Sequence, residues 1–367
     1  MMQKSYLKDS VDFSTINHVL ITKLQHLGDV LMITPVIATL KKKYPHLQID
    51  VLVYAETQEI LTENKDINHI FVIDRRWKKN NKTLLKQTSQ LIKALKARQY
   101  QLMINYTEKW QYGALLVRLL NPKYSVSQDY AHKHGKFWRK SFTHIVKIPK
   151  TERHQVEIHL DALRRLGLYP DADNKALRIY AGHQAEQTIA QLLANHGLEK
   201  QQYIVIHPAS RWMFKGWNVE SFKTVIEQLS LKGHKIVAIS GPDQKEVDLV
   251  EQILSGGKST AINLAGQLPL KQLVELTTHA KCLLGLDSVA MHISAAVNTP
   301  CVVLFGPSND INWHPWGVDH RVVTHPISCR PCNQDGCGGG KISDCLQMIS
   351  ADQVIQSIDN LLDANVS

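Results

Sequence analysis

The sequence predicts an α/β protein made of two doubly wound, Rossmann-like domains, each a parallel sheet with helices on both faces. Three observations carry this expectation. Short β-rich runs alternate with helical segments of about 10–15 residues, the pattern of βαβ units. The alternation runs through once and then begins again past a polar, turn-rich stretch, Gly167-Leu168-Tyr169-Pro170-Asp171-Ala172-Asp173-Asn174. Finally, 367 residues exceed one ordinary core but suit two domains of usual size.

In the first half, Ile16-Asn17-His18-Val19-Leu20-Ile21-Thr22 reads as a strand. It leads through Lys23-Leu24-Gln25-His26-Leu27-Gly28-Asp29 into an apolar helix from Val30 to Lys43. Ile49–Val53, Ile70–Ile73 and Leu102–Asn105 read as further strands, and Thr83–Ala97 as an amphipathic helix. In the second half, strands are expected near 203–206, 235–239, 262–264, 282–286 and 301–305. We therefore place a first domain at 1–172, a second at 173–350 and a closing helix within 351–367. That helix is expected to be capped by Ser350 or Asp352 and to pack back toward the first domain.

Three junctions in the second half have ligand-binding character. The most informative is Leu283-Leu284-Gly285-Leu286-Asp287-Ser288-Val289-Ala290-Met291-His292, where a buried strand meets a turn and then a helix. Backbone N–H groups, a hydroxyl and the positive end of the helix suit phosphate there. Asp287 would repel phosphate and is better placed to accept hydrogen bonds from hydroxyls. Phosphate beside hydroxyls describes a sugar nucleotide. The other junctions are His207-Pro208-Ala209-Ser210-Arg211, followed by Lys215 and Trp217, and Ser240-Gly241-Pro242-Asp243. The turn after the first strand has only Gly28 and no Gly-x-Gly-x-x-Gly, and no P-loop pattern occurs, which argues against dinucleotide and ATP-hydrolysing readings.

Composition narrows the class further. No apolar run approaches the length of a membrane-spanning helix, and the amino terminus lacks the apolar core of a signal peptide, so a cytoplasmic protein is expected. Net charge is +10, concentrated in the first half. One basic cluster is Arg75-Arg76-Trp77-Lys78-Lys79; another includes Lys133, Lys136, Arg139 and Lys140. Two clusters in one half favour an anionic ligand.

Leu27-Gly28-Asp29-Val30-Leu31 and the three junctions, in this order, resemble the motifs of glycosyltransferase family 9, the ADP-heptose:lipopolysaccharide heptosyltransferases. The resemblance runs from His18 to the last helix. Its details are most similar to the branch that adds the branching third heptose of the inner core. It implies the GT-B architecture, in which two doubly wound domains face one another across a cleft, and inverting, metal-independent transfer from ADP-L-glycero-D-manno-heptose without a cofactor. Asp29 would be the general base, although a residue at a helix start can instead serve only as a cap. Lys215 would neutralise the departing diphosphate, beside Ser210 and Arg211. Ser288, with the N–H groups of Val289 and Ala290, would cradle the pyrophosphate, and Asp287 would meet heptose hydroxyls. Asp243 would hold the ribose and Leu268 would lie against adenine; His292 is either a ligand contact or a packed histidine. Arg75, Arg76, Lys78, Lys133, Lys136, Arg139 and Lys140 would face the phosphorylated lipopolysaccharide core, with Trp77 and Trp138 offering flat faces. The implied setting is a monomer peripheral to the cytoplasmic face of the inner membrane, with no nucleic-acid partner.

Cys329, Cys332, Cys337 and Cys345 form a separate cluster whose spacing suits a small structural zinc site. In a reducing compartment we take free thiols as the expected state. Two rivals remain: a transferase of the same family with another donor or acceptor, and a non-catalytic binder of anionic lipid or nucleic acid. The second leaves the junction motifs unexplained.

Overall fold

The computed structural model describes residues 8–129, 135–256 and 260–364. The chain divides after Arg178 into two units. The first contains strands β1 (His18–Thr22), β2 (Gln48–Tyr54), β3 (His69–Ile73), β4 (Leu102–Asn105), β5 (Tyr124–Asp129) and β6 (His144–Lys147). They form one sheet in the order β3-β2-β1-β4-β5-β6, with every pair parallel. Both faces of such a sheet are covered, so Val19, Leu20 and Ile21 of β1 are all fully buried.

Strands β5 and β6 were not expected. β5 reads Tyr-Ser-Val-Ser-Gln-Asp, and its polar residues look like a loop. Here Ser125 and Ser127 are buried but satisfied: Ser125 Oγ accepts from Thr143 N at 3.0 Å, and Ser127 Oγ accepts from Asn105 Nδ2 at 3.0 Å. Polar side chains with partners can occupy a buried strand. The same logic explains Asp50, fully buried in β2, which accepts from Arg98 Nε and Tyr100 Oη, both at 2.7 Å. Its carboxylate raises the Arg98 pKa, the hydrogen bond being the main cause.

The helix expected over Val30–Lys43 is two helices, Leu27–Leu31 and Thr34–Lys43. Pro35 sits in the first turn of the second helix, where its missing N–H costs nothing; inside one continuous helix it would collide with the preceding turn. The unit boundary also falls later than 172. Lys43 pairs with Asp171 at 2.7 Å, Arg178 N donates to Thr34 Oγ1 at 3.0 Å, and Arg178 pairs with Asp66 at 3.1 Å, so this strip belongs to the first unit.

The second unit repeats the plan with β7 (Tyr203–His207), β8 (Lys235–Ala238), β9 (Ile262–Asn263), β10 (Cys282–Leu286), β11 (Cys301–Leu304) and β12 (His320–Val323). The order β12-β11-β10-β7-β8-β9 is the same winding, again all parallel. β12 was the unanticipated strand here. The closing helix, Ala351–Ala364, is no separate segment: Val354, Ile358, Leu361 and Leu362 join the second unit's core beside Phe222 and Leu304. Ser350, rather than Asp352, caps it. Ser350 Oγ accepts from Gln353 N at 3.3 Å while Gln353 Oε1 accepts from Ser350 N at 3.0 Å, a reciprocal capping box.

Candidate active site

In a doubly wound sheet, ligands sit beyond the strand carboxyl ends where the winding reverses. The reversals lie between β1 and β4 in the first unit and between β7 and β10 in the second. Both carry a lysine beside an aspartate.

In the first unit, Lys23 follows β1 directly and is buried, with Nζ 3.8 Å from Asp29 Oδ1. Asp29 lies in the first turn of Leu27–Leu31, whose cap position is His26, so Asp29 is not the cap. Lys23 Nζ also lies 3.2 Å from His159 Nε2, and the other ring nitrogen of His159 lies 3.3 Å from the Met32 carbonyl. A carbonyl only accepts, so Nδ1 carries the proton and Nε2 accepts from the ammonium. Burial, and then the Lys23 charge, hold the His159 pKa well below its usual value. Burial also lowers the Lys23 pKa, with Asp29 opposing. Tyr106 Oη donates to the His159 carbonyl at 2.6 Å, and Thr22 Oγ1 donates to Asn105 Oδ1 at 2.7 Å across β1 and β4. The sequence reading missed Lys23 and His159. A lysine closing the buried run Val19-Leu20-Ile21-Thr22 was the available signal.

In the second unit, Lys215 ends a short turn, Met213–Lys215, and its Nζ pairs with Asp287 from the loop after β10. The turn is tied down from below. Ser343 Oγ donates to the Phe214 carbonyl at 2.6 Å, Gln347 Nε2 to Gly216 at 3.1 Å, and Trp217 Nε1 to Ile349 at 3.1 Å. Trp217 is buried, whereas Trp212 and Met213 are exposed.

Ser288 occupies the cap position of the helix Val289–Ala296, yet its side chain makes no cap hydrogen bond, and its buried Oγ has no partner. A buried unpaired hydroxyl at a helix start awaits an acceptor or a donor. His292 is buried one turn on. Ser210 is half-buried and Arg211 exposed after β7. Asp243, after β8, is exposed and caps the helix Gln244–Leu254, accepting from Lys245 N at 3.0 Å. Leu268, after β9, packs partly on the core. The loops after β8 and β9 meet at Gly266, which has φ +69°, and a Cβ there would lie 2.7 Å from Val247 Cγ2.

Because β10, β7, β8 and β9 are neighbours in that order, Ser288, Lys215, Asp243 and Leu268 come from four consecutive loops along one sheet edge. At the usual strand spacing of ~4.8 Å, four strands span roughly 14 Å.

The basic residues of the first unit vary in engagement. Arg75 pairs with Glu56 at 3.0 Å and stacks over Tyr54, Arg76 is paired with Asp74, and Arg139 pairs with Asp129 at 3.1 Å. Lys78, Lys136 and Lys140 are exposed; Lys133 lies outside the described residues. Trp138 offers no face to a ligand. It is core, 2% exposed, and its Nε1 donates to the Gln128 carbonyl at 3.1 Å, because it packs on Phe142 beneath Gly113.

All six cysteines are free, and among the described residues no group of three or more His, Cys, Asp or Glu is arranged to hold a metal. Cys345 is buried in a core position, and burial raises its thiol pKa.

Comparison with known proteins fits this geometry. Residues 88–342 match the model of glycosyltransferase family 9 (heptosyltransferase). The chain is 40% identical over 300 residues to lipopolysaccharide heptosyltransferase 3 of Escherichia coli, covering 79% of this chain and 83% of that protein. Its structure is similar to a family 9 glycosyltransferase from Veillonella parvula, with a TM-score of 0.82 and 22% identity over 95% of this chain and 98% of that one. It is also similar to the E. coli heptosyltransferase WaaC solved with ADP, with a TM-score of 0.73 and 20% identity over 94% and 99% of the two chains. These likenesses show the expected two-domain GT-B fold.

Proposed function

Since the chain belongs to glycosyltransferase family 9, the heptosyltransferases, we propose that it transfers heptose from ADP-L-glycero-D-manno-heptose to the lipopolysaccharide inner core, as its third, branching heptose. The observation that carries the donor side is the row of Ser288, Lys215, Asp243 and Leu268 along four adjacent strand ends. Phosphate-binding groups stand at the switch point, and ribose- and base-binding positions lie farther along the same edge.

In the proposed reaction, an acceptor hydroxyl attacks heptose C1 from the face opposite the diphosphate. The C1–O bond to phosphate breaks, the configuration inverts and ADP leaves as an anion. Asp29 takes the hydroxyl proton, and the buried Lys23 ammonium holds the carboxylate in place. Lys215, Ser210, Arg211, the Ser288 hydroxyl and the N–H groups of Val289 and Ala290 meet the growing phosphate charge. With that charge met, no general acid is required, and the reading is metal-independent. Asp287, released from Lys215, turns to the heptose hydroxyls, and His292 packs behind them. Incubation with ADP-heptose and a core acceptor lacking its third heptose should release ADP and add one heptose. Failure of folded protein to release ADP would sink the donor assignment; release with another sugar nucleotide alone would favour the same-family alternative.

The acceptor side is read as basic and peripheral to the inner membrane, with the protein acting as a monomer. Among the described residues no helix is long and apolar enough to cross a membrane. Arg75, Arg76, Lys78, Lys136, Arg139 and Lys140, with Lys133, should raise affinity for the phosphorylated core. Exposed charges are screened, so acceptor KM should climb with salt while ADP affinity changes less. Charge reversal at Lys78, Lys136 and Lys140 that leaves this salt dependence intact would return these lysines to ordinary surface.

A further inference from the structure

The first unit contains an apolar cavity of about 170 Å³, lined by Leu52, Ile73, Trp77, Leu84, Leu91 and Leu116 among others. Its volume is comparable to the ~150 Å³ apolar cavity that takes a benzene-sized guest. The amphipathic helix Asn81–Ala97 fully buries only Leu95; Leu91 and Ile92 pack partly on the core and, with Leu84, also line the cavity. The second wall, the helix Ala114–Leu120, presents Leu115 and Leu119, which are exposed, so the cavity reaches the surface.

Charge tells what would enter. Lys78 is on the lining and exposed, and Asp74, also on the lining, is paired with Arg76; residues 75–98 hold nine Lys or Arg and no Asp or Glu, with Lys79, Lys82 and Lys86 exposed. A sugar or nucleotide would find few polar groups inside. A second copy of this chain would bring the same basic face against it, and the protein carries a net charge of +10. An apolar slot with Lys78 on its lining and a strongly basic segment beside it fits one chemistry: a hydrocarbon chain below an anionic headgroup. Neither signal alone anchors a protein stably, whereas one chain and a polybasic patch together do.

We infer that this cavity takes a short stretch of an acyl chain of an anionic membrane lipid, with Lys78 and the basic segment beside it on the headgroup. The inference deepens the peripheral-membrane reading above and rests on it. The test uses the full chain with vesicles of phosphatidylethanolamine, with and without phosphatidylglycerol, at low and high salt, with no donor or acceptor present. Phosphatidylglycerol brominated on its chain near the headgroup should quench Trp77 emission, and Trp77→Phe should lose that component. Thr88→Trp, at an exposed residue on the cavity's lining, should weaken vesicle binding even at high salt, by about fourfold for each methylene excluded. Circular dichroism and the urea-unfolding midpoint check that the variants fold. Binding that vanishes at high salt, with Trp77 unquenched and Thr88→Trp without effect, would overturn the cavity's role and leave an electrostatic membrane reading standing. No vesicle binding under any condition would overturn both, and heptose transfer to a de-acylated core, measured separately, would be untouched by either result.

Discussion

The two winding reversals use the same pair of residue types in opposite ways. In the first unit, Lys23 is buried and held from two sides, 3.2 Å from neutral His159 and 3.8 Å from Asp29. In the second, Lys215 stands on a loop and pairs directly with Asp287. A buried ammonium with fixed partners cannot leave them, because a bare charge in the interior is costly. A partly exposed pair can exchange partners when a diphosphate and hydroxyls arrive. On the proposed reading, the first pair holds one carboxylate in place and the second opens, which matches a base that must stay put and a donor site that must fill and empty.

The largest expected effect breaks the fixed pair at its reactive end. Asp29→Asn should lower kcat by about 10²-fold or more while ADP affinity stays. Near-normal turnover by the folded variant would remove Asp29 from the chemistry.

The exchangeable pair should behave differently. Lys215→Ala should weaken ADP binding and slow transfer together, whereas Asp287→Ala should harm binding of the sugar nucleotide more than of ADP. Because the two side chains touch, the double variant should lose less than the sum, with a coupling of about 1 kcal/mol or more. Strict additivity in calorimetry would mean that the pair plays no part in the donor-bound state.

Lys23→Met sharpens the contrast. It should reduce kcat by roughly tenfold with ADP affinity unchanged, since it acts through Asp29. It should also cost about 1–3 kcal/mol of stability by leaving His159 Nε2 without its donor. A stability loss with unaltered kcat would make Lys23 purely structural.

The smallest effect concerns a histidine of the second unit. His207, ending β7, is buried, and burial lowers its pKa from 6.5 to about 4. As pH falls from 6.5, the unfolded chain takes up this proton first, so the stabilisation present at neutral pH is lost progressively until about pH 4. Between pH 7 and pH 5 the loss should be about 2 kcal/mol. Urea unfolding of His207→Gln should show a correspondingly shallower decline; an identical slope would put the titration elsewhere.

Much of this protein was legible in its residues. Buried parallel strands are continuous apolar runs, so β1, β2, β4, β7, β10 and β11 stand out, and the junction motifs after them mark the edge proposed here for the donor. β5 was opaque because Ser125, Ser127 and Gln128 are buried only by virtue of partners supplied from Thr143, Asn105 and Ile158, which sequence order does not reveal. Trp138 looked like a surface platform for the same reason: its neighbours are basic in sequence, and its core contacts come from elsewhere. Local pattern therefore determined the fold class, the repeat of one winding in two units, the family and the loops that carry Asp29, Lys215 and Ser288. Only the tertiary structure decided the pairings. Lys23 meets His159 across 136 positions and Lys215 meets Asp287 across 72. A side chain's charge state and freedom depend on what folding brings beside it, and that is a property of distance in space rather than along the chain.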